Sequence, residues 1–176
     1  GRGQRQPVPR KGVLSVKTIH SDAIIAAVAD LCQRAAFDLP GDVRQALERA
    51  RSREESPLGL SILGQLTENA DLAARERVPM CQDTGVAVYF VELGNQVQLE
   101  GLGLLEAMAE GTCRGYTEGH LRMSIVRDPL FERVNSKTNG PPVVHVEPVP
   151  GEVFRITLAP KGGGSENMSA MAMLKP

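Results

Sequence analysis

An α+β domain is the architecture this sequence predicts: N-terminal helices followed by a mixed β-sheet with packed helices. Three observations carry that expectation. The N-terminal third repeats apolar residues at helical spacing; residues 86–93 form a nearly unbroken apolar, β-branched run, V-A-V-Y-F-V-E-L; and two further strand-like stretches follow residue 142. Helices and strands segregated in this way make α+β rather than an alternating βαβ fold. The 176 residues suit one domain, and 41% hydrophobic with 23% charged residues is ordinary for a globular protein. Twenty basic against 21 acidic residues leave a net charge of −1, so composition offers no field for nucleic acid or a membrane surface. No apolar run approaches the ~20 residues of a membrane-spanning helix. Three cysteines, an odd count, fit a reducing compartment, and a cytoplasmic location is expected.

Each element follows in order. Arg2, Arg5, Arg10 and Lys11 gather among prolines. Residues 1–18 therefore read as a disordered arm, part of it a cloning remnant, because Gly1 stands where an initiator methionine would. Residues 19–176 form the domain. Ser21 or Asp22 caps a first helix whose stripe is Ile24, Ile25, Val28, Leu31, Cys32 and Ala35. A second helix starts after Pro40-Gly41, with Val43, Ala46, Leu47 and Ala50 on one face. A third starts at Ser56-Pro57, the favoured cap-then-proline order, and aligns Leu58, Ile62, Leu66 and Ala70. Pro79 blocks further helix. Val86 to Leu93 has the pattern of a buried strand, Gly94-Asn95 signals a turn, and Gln96 to Glu100 alternates as a half-buried partner strand would. Leu104 to Gly119 returns to helical spacing. After the polar loop Asn135 to Pro142 come strands near Val143–Val149 and Val153–Ala159. The final K-G-G-G-S-E-N-M-S-A-M-A-M-L-K-P reads as a glycine loop running into a helix from about Ser165 to Pro176. Nothing follows for that helix to pack on, so a cut chain is expected.

Several short motifs compete for the chemistry. Asp83-Thr84-Gly85 is the triplet of aspartic proteases, in which two carboxylates share a proton. Those enzymes are nearly all β and place apolar residues before the Asp, whereas Met80-Cys81-Gln82 precede it here. G-L-G-L-L-E at Gly101 to Glu106 imitates a dinucleotide fingerprint but puts Glu106 where the third glycine belongs. Lys161-Gly162-Gly163-Gly164-Ser165 reverses the order of a Walker loop. It reads either as a tight turn or as a carboxylate or phosphate site, made by backbone N–H groups at a helix start with Lys161 adding charge. Cys32, on an apolar stripe, and Cys113, inside a helix, read as packing residues. Cys81 leads a crowd of polar groups at a loop-to-strand junction, and a thiolate metal ligand flanked by an acid and an amide explains that crowding better than packing does.

C-Q-D-T-G at Cys81–Gly85, G-Y-x-E-G-x-L-R-x-S at Gly115–Ser124, D-P-L-F at Asp128–Phe131 and K-G-G-G-S-E-N at Lys161–Asn167 together resemble the class I, iron–sulfur fumarases. The likeness lies in the α-type region they share with L-tartrate dehydratase and runs from about Ile19 to the last residue. The N-S-K-T-N-G-P-P loop differs mildly from the family's usual N-T-G-x-N-x-P. The resemblance implies a [4Fe-4S] cluster on three cysteines, with an open iron acting as a Lewis acid on the substrate. It implies Cys81 as one ligand, the other two beyond residue 176, and no intact cluster on this stretch alone. It implies proton transfer at Asp83, a carboxylate hydrogen bond from Gln82, a bidentate grip on a dicarboxylate by Arg122, and substrate approach by the Gly164 backbone with Lys161 leading the loop. Asp83 has a plainer reading as an Asx-turn residue, and Arg122 as a solvated surface group. His20, His120 and His145 match no catalytic position, and His145 reads as a structural histidine within a strand.

The remaining groups of such an enzyme belong to a β-type region, a separate subunit in some members and a fused C-terminal domain in others. A chain starting this near its first helix suits the two-subunit form, with the site at the α/β junction and the α units paired as a homodimer. The expected function is reversible hydration of fumarate to malate. Alternatives are an L-tartrate dehydratase α subunit, a non-catalytic interaction domain of the same fold, and, last, the Asp-Thr-Gly protease. Fumarate and tartrate both stay open, because discrimination by one hydroxyl depends on pocket geometry.

Overall fold

The computed structural model describes residues 16–174. Strand β1 (Lys17–His20) leads directly into helix α1 (Ser21–Phe37). The cap of α1 is neither Ser21 nor Asp22 but His20, whose Nδ1 accepts the Asp22 N–H at 3.3 Å, while Ser21 is buried in the first turn. Lys17 and Thr18 thus sit in a strand, within the span read as an arm; residues 1–15 lie outside the described residues.

Helices α2 (Gly41–Arg51) and α3 (Pro57–Glu76) form a hairpin joined by an Arg44–Asp71 ion pair at 2.6 Å. Ser56 caps α3 by accepting the Gly59 N–H at 3.4 Å, with Pro57 in the first turn as the sequence order predicts. The helical period was legible but its burial was not. Helix α2 buries no residue and α3 buries Ala70 and Ala73, so Leu58, Ile62 and Leu66 remain exposed. Arg77, left-handed at φ 53°, closes α3 and bonds Asp38 at 3.0 and 3.2 Å. Its guanidinium lies 4.7 Å from the centre of the Phe37 ring, a cation–π contact that fastens the ends of α1 and α3 together.

Among the described residues the strands form two sheets. Strand β2 (Val86–Gly94) is the centre of the larger, parallel to β4 (Val143–Val149) and antiparallel to β5 (Phe154–Lys161). Strand β3 (Val97–Glu100) does not fold back on β2 as the turn signal suggested; it pairs in parallel with β1. The reason is that both flanks of β2 are already taken. Gly94 and Asn95 bond the β4–β5 connection instead, through Gly94 N–H to Val153 O at 2.6 Å and Asn95 N–H to Val149 O at 2.9 Å.

Helix α4 (Leu104–Glu118) packs along α1. Gly111 and Gly115 permit the close approach, since a Cβ at either would lie 2.8 Å from an α1 carbonyl, that of Ile25 or Ala29. The core lies between this helical layer and one face of the sheet, where Ala87, Tyr89 and Val91 are buried. The opposite face stays open: Phe90 is 50% exposed and stacks on His145 at 5.2 Å. The apolar run of β2 therefore marks a central strand with one covered face, and His145 lies on the surface. Helix α5 (Gly164–Met168) has five residues. Residues 169–174 continue without helix, so the long terminal helix does not form among the described residues, and residues 175–176 lie outside them.

Candidate active site

The register of β2 against β5 sets Val86 opposite Lys161. The D-T-G turn just before β2 therefore meets the glycine loop just after β5. Gly85 makes the crossing at φ +69°, and a Cβ there would run into the Lys161 carbonyl. The chain ahead of the turn is pinned at Met80, whose N–H donates to Ala36 O at 3.0 Å and whose carbonyl accepts from Asn69 Nδ2 at 2.8 Å.

Asp83 is fixed from two sides. Its Oδ1 accepts the Gly85 N–H at 3.1 Å, the Asx-turn geometry, and its Oδ2 accepts the Gly163 N–H at 3.0 Å. The Asx-turn reading of Asp83 is thus met, and each carboxylate oxygen keeps a further lone pair beyond these bonds. The Gly163 N–H, expected to be offered to an anion, is already engaged by the protein's own carboxylate. Thr84 points inward and its hydroxyl donates to Arg122 O at 3.1 Å. The Tyr116 hydroxyl is shared between Thr84 O at 2.9 Å and Gly85 O at 3.2 Å. Asn139, fully buried, donates Nδ2 to Gly85 O at 3.0 Å and accepts the Ser124 N–H on Oδ1 at 2.8 Å.

Asp83, Arg122, Ser124, Lys161 and Gly162–Gly163 line one open cleft of about 470 Å³. Its floor is Val86, Val88 and Val143, on the uncovered face of the sheet. No carboxylate among the described residues pairs with the exposed Arg122 guanidinium. The Lys161 ammonium donates to the Gly162 carbonyl at 2.8 Å. Among the described residues that line the cleft, Arg122 and Lys161 are the cations and Asp83 the carboxylate, and a planar guanidinium is suited to hold a carboxylate by two hydrogen bonds. No second carboxylate among the described residues lines it.

Cys81, Gln82 and Gly164 do not line that cleft. Adjacent residues of a tight turn fan out. Cys81 is exposed, donates to Gln82 Oε1 at 3.7 Å, and borders a smaller cavity of about 150 Å³ that shares Asp83 as a wall. Gln82 is exposed, and Gly164 is the first residue of α5. Cys32 is committed to the core. The Thr112 hydroxyl donates to Met108 O, so Tyr89 donates to Thr112 at 3.0 Å and the Cys32 thiol donates to Tyr89 at 3.2 Å. Burial pushes that thiol up to about 11. Among the described residues no three of His, Cys, Asp and Glu stand close enough to share a metal ion. One exposed thiol at Cys81 fits one ligand of a cluster; the donor set does not fit a whole one.

The sequence reading did not single out Tyr116 or Asn139, which fix the turn. Each had a signal: Tyr116 follows a glycine within the longest motif, and an Asn before Gly140-Pro141 favours a left-handed turn, here at φ 51°.

Residues 25–176 match the family model described as Fumarate hydratase (Fumerase). The chain is 39% identical over 156 residues to "Putative L(+)-tartrate dehydratase subunit alpha" of Methanocaldococcus jannaschii, covering 85% of this chain and 54% of that protein. It is 34% identical over 130 residues to "Fumarate hydratase class I, aerobic" of Escherichia coli K12, covering 73% of this chain and 23% of that protein. It is 29% identical over 154 residues to "L(+)-tartrate dehydratase subunit alpha" of Escherichia coli UTI89, covering 85% and 50%. The chain spans about half the length of these tartrate dehydratase subunits. With the family model matching across the C-Q-D-T-G turn, the Arg122 segment and the glycine loop, the chain belongs to the fumarate hydratase (Fumerase) family.

Proposed function

We propose that this chain is the α-type part of a cytoplasmic hydro-lyase that adds water reversibly across the double bond of a C4 dicarboxylate, converting fumarate to malate. The observation that carries the reading is the convergence of Arg122 and Lys161 on Asp83 in one cleft. Arg122 grips one substrate carboxylate bidentately, and Lys161 adds the second positive charge a dianion requires. Asp83 moves the proton: hydration puts a hydroxyl on one alkene carbon and a proton on its neighbour, and elimination reverses both. Gln82, exposed beside the turn, and the Gly164 backbone are assigned to the substrate's far end, which the described cleft leaves open. Cys81 is assigned as one ligand of a [4Fe-4S] cluster whose other thiolates come from outside these residues. When bound, such a cluster supplies a Lewis acid. The partners are a β-type subunit or domain and a second α-type unit.

A second reading, dehydration of L-tartrate by the same residues, has behind it the 39% identity to one protein named for tartrate dehydratase, set against 34% to a fumarate hydratase class I and 29% to a second tartrate dehydratase subunit. Anaerobic assay of the complete assembly with both substrates separates the two by their kcat/KM ratio. Asp83→Asn is expected to lower kcat on the order of 10²–10⁴-fold. Full turnover after Asp83→Asn, or after Cys81→Ala, would refute the assignment.

A further inference from the structure

We propose that Asn139 is a positioning residue that locks the Asp83 turn to the Arg122 segment, and so sets the spacing between the proton-moving carboxylate and the carboxylate-gripping guanidinium. The inference rests on the function proposed above, although its geometric half can be read without any activity.

The two segments are far apart in sequence and meet through few bonds. Thr84 joins them directly, its hydroxyl donating to Arg122 O at 3.1 Å. A single hydrogen bond leaves rotation about it free. Asn139 supplies a second point, one residue further along the turn and two further along the Arg122 segment, with Nδ2 donating to Gly85 O at 3.0 Å and Oδ1 accepting the Ser124 N–H at 2.8 Å. Two anchors fix the orientation of the Arg122 backbone relative to Asp83 as well as its distance.

The residue type follows from the task. The turn side presents a carbonyl and the Arg122 side an N–H, so the bridging group must donate to one and accept from the other. A primary amide does both from one planar group. The backbone of Asn139 is left-handed at φ 51°, a region that Asn tolerates better than most side chains. The bridging side chain is held in turn: Asn139 is fully buried, and its loop is stitched to the same segment by Asn135 Nδ2 to Met123 O at 2.8 Å and Ser136 N–H to Ile125 O at 2.8 Å. An amide used merely to fill space would not need both polar atoms partnered across two different segments.

Two variants divide the roles. Asn139→Gly keeps the left-handed backbone and removes both bonds. Asn139→Asp keeps the acceptor for Ser124 and loses the donor for Gly85. The test uses the complete cluster-loaded α/β assembly, with steady-state kinetics on fumarate, malate and tartrate, and amide hydrogen exchange followed by mass spectrometry over residues 82–86 and 122–126. For Asn139→Gly, exchange should rise in both segments and stay unchanged in α1, with KM raised and kcat lowered by on the order of tenfold to a hundredfold. For Asn139→Asp, kcat should fall while KM stays near wild type, a split that general loss of stability would not produce. Unchanged exchange in both segments of Asn139→Gly overturns the lock. Raised exchange with wild-type kcat and KM overturns its positioning role. A wild-type assembly inactive on all three diacids refutes the proposed function instead, and the exchange pattern alone then decides the lock.

Discussion

Cys81 and Cys32 border the same small cavity, yet their chemistry is opposite. Cys81 is exposed; Cys32 donates its proton into a buried chain through Tyr89 to Thr112. That burial has a measurable consequence. An unfolded thiol ionises near the ordinary 9.0, whereas folded Cys32 does so at about 11. Between those values the unfolded chain has lost a proton that the folded chain keeps. The contribution is therefore complete below pH 9.0 and declines as pH rises toward 11. The loss approaches about 3 kcal/mol at the alkaline limit. Burial raises Tyr89 and Tyr116 as well, which steepens the fall in the same direction. Denaturation midpoints measured across this window should drop for the wild type and drop less for Cys32→Ser, which has no thiol to ionise. Equal slopes in the two would remove Cys32 from the account. At this scale the sequence told Cys81 from Cys32 because each is identified by its near neighbours. It did not reveal Asn139, whose bond to Gly85 spans 54 positions.

Elements were legible wherever local pattern decides them, and misread wherever a distant partner does. The starts of α2 and α3 follow from Pro40-Gly41 and Ser56-Pro57, and both helices begin there. The pairing of β3 was not legible, because Gly94-Asn95 carries a turn signal whether or not β2 has a free edge. The α1–α4 contact offers an internal comparison of two glycines. Gly115 faces α1 so closely that a Cβ would sit 2.8 Å from both Ala29 O and Cys32 Cβ. Gly64, inside α3, has nothing within 4 Å of the same added atom. Gly115→Ala should therefore cost about 1–3 kcal/mol through forced separation of the helices. Gly64→Ala should stabilise by about 0.5–1 kcal/mol, because alanine loses less backbone entropy in a helix. Urea denaturation of both variants checks the pair, and a shared sign would contradict the packing described for α4. Gly115→Ala should also disturb the D-T-G turn, since the next residue, Tyr116, bonds the Thr84 and Gly85 carbonyls.

At the largest scale the described residues present a cleft that is open on one side. Asp83, Arg122 and Lys161 line it, its floor is the uncovered face of the sheet, and α3 leaves its Leu58–Ile62–Leu66 stripe exposed. The family was legible because its motifs are contiguous strings. The separation of the Cys81 thiol from the cleft was not, because it depends on how a turn fans its side chains. This bears directly on metal loading. A [4Fe-4S] cluster of the kind the family resemblance implies needs three thiolates on one centre, and the described residues gather no such set. Recruiting Cys32 would require breaking its bond to Tyr89 and ionising a thiol that burial holds at about 11. Cys113 is half-buried within α4 and does not border the cavity beside Cys81. Anaerobic reconstitution of the 176-residue chain with iron and sulfide should therefore yield far less than a full cluster per chain, with Cys81 still open to alkylation by iodoacetamide. An iron content near four per chain, with Cys81 protected, would mean that the turn rearranges to bring a second and third donor to it. The separation of Cys81 from the Asp83–Arg122 cleft would then not hold for the cluster-loaded protein.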